Sequence, residues 1–394
     1  MKNKNNLPIN QILLGDAGER LTEFQDNSID LICCDPPYGL GFMAKDWDKS
    51  VVSVNIWKEC FRVLKDGGFA FVMSAPRQDV FSQTVIRLSK AGFNIRLTSI
   101  FWTFASGFPK PLNISKAVDK LKGVARKGIS RKSAGTKGQI FKLGRVYERN
   151  IEPVTTEAKA LAGSFGGFQP KPALEIIIVA MKPLSEIRFA DQALKNGKGI
   201  TWLDDCRIPI KKGDEPRGGY GDEVIGFGPF DNKAGAKWKK SPSAHLGRFP
   251  ANLLVSDDVL NEGKIASNGK SKLPDKESFS RYFDLDAWAI KNGINTFPFL
   301  ICPKPSPAER NNGCEELKRN FHPTVKPIRL MSYLITLGSR PGDLVLDPFV
   351  GSGTTCIAAK ILNRNYIGIE REQEYYRIAI KRLKAFTKTE QERQ

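Results

Sequence analysis

The chain has 394 residues, 41% of them hydrophobic, which is enough apolar material for one large domain or two ordinary ones. Its seven cysteines are scattered without a C-x-x-C pair and only two histidines accompany them, so no metal centre is expected and the thiols read as reduced and structural. The formal net charge of +19 bears on partners rather than on fold; the basic N-terminus lacks a signal-type apolar core and no apolar run reaches a membrane span, which points to a soluble cytoplasmic protein.

In chain order, the first hundred residues alternate as an α/β fold does. A short run "QILLGD" is followed by the buried-looking strand "IDLICC" and by the helical stretch "NIWKECFRVLK", closed by Gly67 and Gly68. Then come the strand "FAFVMS", the helix "DVFSQTVIRLSKAG" and the strand "NIRLTSIFWTF", together half of a doubly wound sheet. Some two hundred residues rich in Gly, Pro, Lys and Asn follow, with few clear strands, among them "LEIIIVAM" and "ANLLVS"; the stretch "RGGYGDEVIGFGPF" reads as a mobile loop. The alternation then resumes with the helix "IRLMSYLITLGS", the strand "LVLDPF", the helix "TTCIAAKIL", the strand "YIGIE" and the helix "EYYRIAIKRLKAF".

Neither half-sheet is expected to stand alone, so the middle is an insertion into one domain. The boundaries read as 1–104 for the first half, 105–173 for a basic excursion, 174–184 for a strand returning to the sheet and pairing antiparallel beside "NIRLTSIFWTF", 185–320 for an accessory region and 321–394 for the second half. From Lys110 to Asn150 twelve Lys or Arg stand against Asp119 and Glu148, and "KAGAKWKKSPSAHLGR" adds five basic residues and no acid. Phe104, Phe108, Phe141, Tyr147, Trp238 and Phe249 are interleaved with this charge, a pattern suited to nucleic acid rather than to a merely solvated surface. The expected phosphate contacts are Lys110, Lys116, Arg126, Lys127, Arg131, Lys132, Lys137, Lys237, Lys239 and Lys240.

Two motifs carry chemistry. In "LVLDPFVGSGTT" a strand runs through a turn with Gly351 and Gly353 straight into a helix, which brings backbone N–H groups to whatever sits above the strand end. Glu370 ends the next strand, where an acid can accept from ribose hydroxyls. Cys356 replaces the third glycine of the dinucleotide fingerprint and there is no G-x-x-x-x-G-K-[ST], so a nucleoside-containing cofactor other than NAD or ATP is indicated; a plain tight turn is the alternative. In "DLICCDPPYGLGF" Asp35 follows a strand and precedes two prolines, which fix φ and donate no hydrogen bond. The Asp35 carboxylate and the Pro36 carbonyl then form a stiff acceptor pair suited to a group with two N–H bonds, such as the exocyclic amine of a nucleobase, with Tyr38 placed to stack on the base. A proline-terminated strand with a capping Asp is the alternative.

With "DPPY" at 35–38, "HPTVKP" at 322–327 and "DPFVGSGTT" at 347–355 in that order, the sequence resembles the β-group of S-adenosylmethionine-dependent DNA amino-methyltransferases, including prophage-type DNA methylases. In that group the catalytic motif precedes the cofactor motif. The resemblance covers about 1–120 and 320–394 well and the middle only patchily. It implies a Rossmann-like, seven-stranded methyltransferase sheet, circularly permuted, with an inserted DNA-recognition region, in a cytoplasmic protein encoded by a bacterium, archaeon or phage. By the same resemblance Asp35, Pro36 and Tyr38, with Pro37 completing the motif, bind and activate the target amine. Phe349, Gly351 and Gly353 lie against the methionine part of S-adenosyl-L-methionine, Glu370 holds its ribose, and Asp16 accepts from its adenine amino group unless it is only a helix N-cap. His322, Thr324 and Lys326 line the cofactor's carboxylate side, an ordinary surface lysine being the alternative for Lys326, although its position between Thr324 and Pro327 fits the motif; Pro327, Asp347, Ser352 and Thr354 complete this set.

The implied reaction is an in-line displacement on the sulfonium methyl by the exocyclic N6 of an adenine flipped out of double-stranded DNA, without a covalent enzyme intermediate. N4 of cytosine is the runner-up, RNA or protein amide methylation is a weaker alternative, and a non-catalytic DNA-binding module with a decayed methyltransferase fold is the remote one. A homodimer and a companion restriction enzyme stay open as partners. The target sequence is expected to be read by 105–173 and 185–320.

Overall fold

The computed structural model describes residues 7–41, 48–103, 112–126, 128–131, 147–150, 152–168, 173–210, 247–255, 285–294, 307–314, 320, 322 and 324–391. Contacts divide the chain into a unit formed by Met1–Ser106 with Ala173–Gln394 and a unit formed by Gly107–Pro172.

In the larger unit the elements run β1 (Gln11–Leu14), α1 (Ala17–Arg20), β2 (Ile29–Cys34), α2 (Val54–Val63), β3 (Leu64–Ser74), α3 (Gln78–Ala91) and β4 (Ile100–Thr103). The smaller unit contributes α4 (Ile114–Leu121), β5 (Gly128–Arg131), β6 (Tyr147–Asn150) and α5 (Thr156–Ala160). The chain continues in the larger unit with β7 (Leu174–Met181), α6 (Phe189–Asn196), β8 (Leu253–Val255), α7 (Leu285–Lys291), α8 (Pro307–Asn311), α9 (Ile328–Gly338), β9 (Leu344–Asp347), α10 (Thr354–Ile361), β10 (Asn365–Glu370) and α11 (Gln373–Gln391).

Among the described residues eight strands form the sheet in the order β1-β10-β9-β2-β3-β7-β4-β8. β1, β10, β9, β2 and β3 are mutually parallel, β7 is antiparallel to both β3 and β4, and β8 runs parallel to β4. The seven-stranded methyltransferase sheet implied by the resemblance is therefore present in permuted chain order, with β8 added at one edge. The carboxyl ends of the parallel strands share one edge of this sheet, and because β7 runs the other way its first residues lie at that edge too.

The core explains why strands as apolar as β2 are stable here. On one face Leu31, Cys33, Phe69, Phe71 and Met73 pack with α9 and α10; on the other Ile32, Cys34, Ala70 and Val72 pack with Trp57 and Cys60 of α2 and Leu88 of α3. Alternate residues of one strand thus serve opposite layers, as in a parallel sheet covered on both sides. α9 is apolar nearly all round and is buried from Leu330 to Gly338, a central rather than a surface helix. The six cysteines among the described residues are buried and none is in a disulfide.

One expected boundary is corrected. Gly67 and Gly68 do not close helix α2, which ends at Val63; both belong to β3. The pairing of β3 with β2 shifts register between Ile29 and Leu31, and Gly67, with φ +76°, donates its N–H to Lys182 and accepts from Gly199 N–H. The glycine pair makes an irregularity in a strand instead of a helix stop. β4 is also shorter than "NIRLTSIFWTF", with Asn94 making only an isolated bridge to Met181.

In the smaller unit β5 and β6 form an antiparallel pair, and Asp119 of α4 is buried beneath α5. Asp119 accepts from Arg126 Nε at 2.6 Å, Thr155 Oγ1 at 2.9 Å and the N–H groups of Thr155 and Val154 at 3.0 and 3.2 Å. Burial alone would raise its carboxyl; these donors outweigh burial and hold it well below the ordinary range.

Candidate active site

β2 and β9 are neighbours, with Leu31 opposite Val345 and Ile32 opposite Leu346, so the segments that leave their carboxyl ends start side by side. One begins at Asp35 and the other runs from Asp347 into the glycine turn. On the far side of β9, β10 ends at Glu370 beside Leu14 of β1.

The DPPY segment is held from below by a residue that no motif announced. Buried Asp48 accepts from Tyr38 N–H and Gly39 N–H on Oδ1 at 2.8 and 2.9 Å and from Leu40 N–H on Oδ2 at 3.2 Å. With the turn fixed, the Tyr38 hydroxyl donates to Asp35 Oδ1 at 2.6 Å and the Lys326 ammonium donates to Asp35 Oδ2 at 2.7 Å. Lys326 Nζ is also 3.1 Å from Glu175 of β7 and 5.7 Å from the centre of the Tyr38 ring. Lys326 is therefore no surface lysine; its side chain is 8% exposed. Burial would lower its pKa, but Asp35 and Glu175 outweigh that and keep the ammonium charged well above its ordinary range. Burial and the same two carboxylates raise the Tyr38 phenol, so it stays a donor.

In the glycine turn, Asp347 accepts from Phe349 N–H at 3.0 Å and from the Thr355 hydroxyl at 2.5 Å, and burial pushes its carboxyl up to about 7. The Phe349 ring meets Trp57 edge-on at 5.9 Å. Gly351 has φ +53°, and a Cβ there would stand 2.7 Å from His322 Nε2, so both the backbone conformation and the neighbour require glycine. Gly351 N–H donates to Glu370 Oε2 and Glu372 N–H to Glu370 Oε1, both at 2.8 Å; burial nevertheless pushes Glu370 up to about 7. Arg382 of α11, fully buried, closes the turn from behind by donating to Ser352 O at 2.6 Å, Ser352 Oγ at 3.0 Å and Thr354 Oγ1 at 3.2 Å.

His322 packs edge-on against Tyr375 at 4.4 Å, and burial, with the charges of Arg382, Lys326 and Arg310, lowers it to about 3, so it is neutral. Thr324 N–H points to its Nδ1 at 3.4 Å, and Pro327 stands at the N-cap of α9. Asp16 is the N-cap of α1, accepting from Gly18 N–H at 2.8 Å, while the neighbouring Gly15 N–H bonds the Glu370 carbonyl at 2.9 Å.

The expected phosphate contacts are less gathered. Lys116 is exposed on α4, and Arg131 is the last residue of β5. Arg126 does not present its charge to solvent: its guanidinium, 7% exposed, pairs with Asp119 and donates to Ser115 Oγ at 2.7 Å, serving the interior of the smaller unit. Lys110, Lys127, Lys132, Lys137, Lys237, Lys239 and Lys240 lie outside the described residues. Sequence reasoning missed Asp48, Glu175 and Arg382. Only Glu175 left a signal, as a lone acid in the otherwise apolar "LEIIIVAM".

A family model described as DNA methylase matches residues 220–381, a stretch that takes in the HPTVKP segment, the glycine turn and Glu370. The type II methyltransferase M2.DpnII of Streptococcus pneumoniae is 53% identical over 68 residues, 17% of this chain and 25% of that protein. The type II methyltransferase M.HinfI of Haemophilus influenzae is 53% identical over 70 residues, 18% of this chain and 20% of that protein. The matched stretches thus span a quarter or less of these relatives' own length. Among solved structures, the cytosine-N4-specific PvuII DNA methyltransferase aligns with 96% of this chain and 90% of its own at 16% identity and a TM-score of 0.44. In its C-terminal part the chain is thus similar to DNA methylases of the N6/N4 family and to type II methyltransferases.

Proposed function

We propose that the protein methylates DNA at the exocyclic N6 of adenine, using S-adenosyl-L-methionine. The observation that carries this reading is the adjacency of β2 and β9, which starts the DPPY segment and the glycine turn from neighbouring strand ends on one edge of the sheet. An acceptor built for an amine and a cradle built for a nucleoside are useful together only if they face one substrate.

The residues fit the cofactor. Each Glu370 oxygen takes one backbone N–H and keeps a further lone pair for the ribose hydroxyls. Asp16 lies two residues beyond the strand paired with β10 and keeps its second oxygen for the adenine amino group. Phe349, wedged against Trp57, and the turn locked by Arg382 offer an apolar wall and a fixed backbone for the methionine part. When bound, S-adenosylmethionine supplies an electrophilic methyl: the N–C bond forms as the C–S bond breaks, the electron pair stays on sulfur, and a proton leaves the nitrogen.

Asp35 accepts an N–H of the amine and steers its lone pair, the Pro36 carbonyl accepts the other, and Tyr38 fixes Asp35 while offering its ring to the base. Proton loss needs no strong base, because the nitrogen becomes acidic only as it gains the methyl group. The target base is flipped out of the duplex at a cost of a few kcal/mol, which phosphate contacts from the basic segments offset. The regions read as target-recognising are 105–173 and 185–320. In the family that the sequence resembles, aspartate rather than serine at the position of Asp35 leans toward adenine over cytosine. Among the described residues no helix is long and apolar enough to cross a membrane, and the reading places the protein with DNA in the cytoplasm.

The test is nucleoside analysis of DNA incubated with the protein and tritiated S-adenosylmethionine. N6-methyladenine is expected; N4-methylcytosine would transfer the same geometry to the smaller base. Methyl transfer retained by a normally folded Asp35→Ala variant would reject the assignment.

A further inference from the structure

Lys326 stands between two carboxylates. Its ammonium is 2.7 Å from Asp35 and 3.1 Å from Glu175, and all three side chains are 19% exposed or less. The Glu175 oxygen nearest it is buried and within ion-pair range, yet off the hydrogen-bonding direction. Glu175 reaches this edge only because β7 is antiparallel, pairing Glu175 with Trp102 while its next residue faces Ser74.

Such a cluster is a poor structural device. Among the described residues, one ammonium against two carboxylates leaves a buried surplus of negative charge, with His322 and Tyr38 both uncharged nearby, and an incompletely compensated buried charge is costly. It is also a poor catalyst as it stands. Asp35 Oδ1 already accepts from Tyr38 and Oδ2 from Lys326, and a fixed positive charge at 2.7 Å opposes a nitrogen that is itself becoming positive. The second carboxylate resolves the latter problem by offering the ammonium another seat close by.

We propose that Glu175 is a positioning residue that draws Lys326 off Asp35 when the target amine docks, so that Asp35 turns to the substrate while the lysine keeps a counter-ion. This rests on the methylation reading above. The bound amine needs only to favour the second of two arrangements that both fit the cluster. The surplus negative charge then faces the reacting nitrogen and the sulfonium, which it suits.

The experiment measures single-turnover methyl transfer to DNA by the full chain, with cofactor affinity and thermal midpoint recorded in parallel. Glu175→Gln is expected to slow transfer about 100-fold, the scale set by a misplacement of about 1 Å, without changing either parallel readout. Glu175→Asp, which keeps the charge, should recover most of the rate. In a Lys326→Met background, where no ammonium needs a seat, Glu175→Gln should cause little further loss, whereas a merely structural role would make the two losses multiply. Wild-type speed in Glu175→Gln, a multiplying pair of losses, or no recovery by Glu175→Asp would overturn the proposal while leaving methylation itself intact. Absence of transfer by the unmodified chain would remove the methylation reading and this one together.

Discussion

Strand β2 carries an aspartate near its start and another just past its end, and the two are compensated differently. Asp30, at 8% side-chain exposure, accepts from Lys65 at 2.7 Å and from Leu344 N–H at 2.9 Å and lies 2.9 Å from Lys198, which also holds Asp343 at 2.8 Å. Two ammonium groups thus answer two carboxylates, and a backbone donor fills the remaining place. Asp35 shares with Glu175 a single ammonium among the described residues. Where charges balance and the lone pairs are filled, an ion cluster ties β2, β9 and the segment after α6 together and has nothing to offer a ligand. Where negative charge is left over at a strand's carboxyl end, the cluster can receive a donor or a cation.

The largest effect should come from removing the surplus. Asp35→Asn replaces a charged acceptor by an amide that also donates, and methyl transfer should fall by about 100- to 1000-fold with little change in thermal midpoint. Equal losses of activity and stability would place Asp35 with Asp30 as structural.

Asp30→Asn should do the reverse. Breaking the balanced cluster should lower the unfolding free energy by about 3 kcal/mol, read from denaturant curves, while cofactor affinity stays unchanged. If stability is untouched, the balance at this end of β2 does not hold the sheet.

Glu370→Gln keeps the shape but removes a charged acceptor, so calorimetry should show cofactor affinity reduced by about 10- to 100-fold, the worth of a hydrogen bond to a charged group. Unaltered affinity would detach Glu370 from the ribose.

Acidity separates the clusters by sign. The lysines, with Leu344 N–H, outweigh the burial of Asp30 and hold it below its ordinary range, so its stabilisation is present above that range and is lost only as pH falls through it. Burial raises Glu370 and Asp347 to about 7, so their ionisation opposes folding as pH climbs from the ordinary carboxylate range through 7. Lowering pH from about 8 to about 6 should therefore weaken cofactor binding, because a protonated Glu370 accepts less well, and raise the midpoint of the free protein; Glu370→Gln should flatten the first response and reduce the second to the share of Asp347.

The smallest effect belongs to the smaller unit. Lys116→Ala should reduce the slope of log affinity for DNA against log salt by about 0.9, one phosphate's share. The buried Arg126 should act on that unit's thermal stability instead, and the salt slope would reveal any error in this division.

How much could be read in advance depended on the kind of constraint. DPPY and FVGSG were legible because proline and glycine act on their own backbone, so the local shape travels with the letters. Gly67 and Gly68 misled for the same reason: glycine serves a helix stop and a strand irregularity equally, and the choice was made by Lys182 and Gly199, more than a hundred residues away. Asp48, which fixes the DPPY turn, and Arg382, which closes the glycine turn, bear no local mark.

By itself the sequence determined that this is an α/β chain and that a proline-stiffened DPPY segment precedes a strand-to-helix glycine turn, since periodicity and backbone restriction are local properties. The antiparallel return of β7 beside β4 was legible too; only the tertiary structure decided that β7 also pairs with β3, and that Glu175 meets Lys326 beside Asp35. Charge compensation depends on distances between side chains far apart in the chain, and those distances exist only once strand order and direction are set.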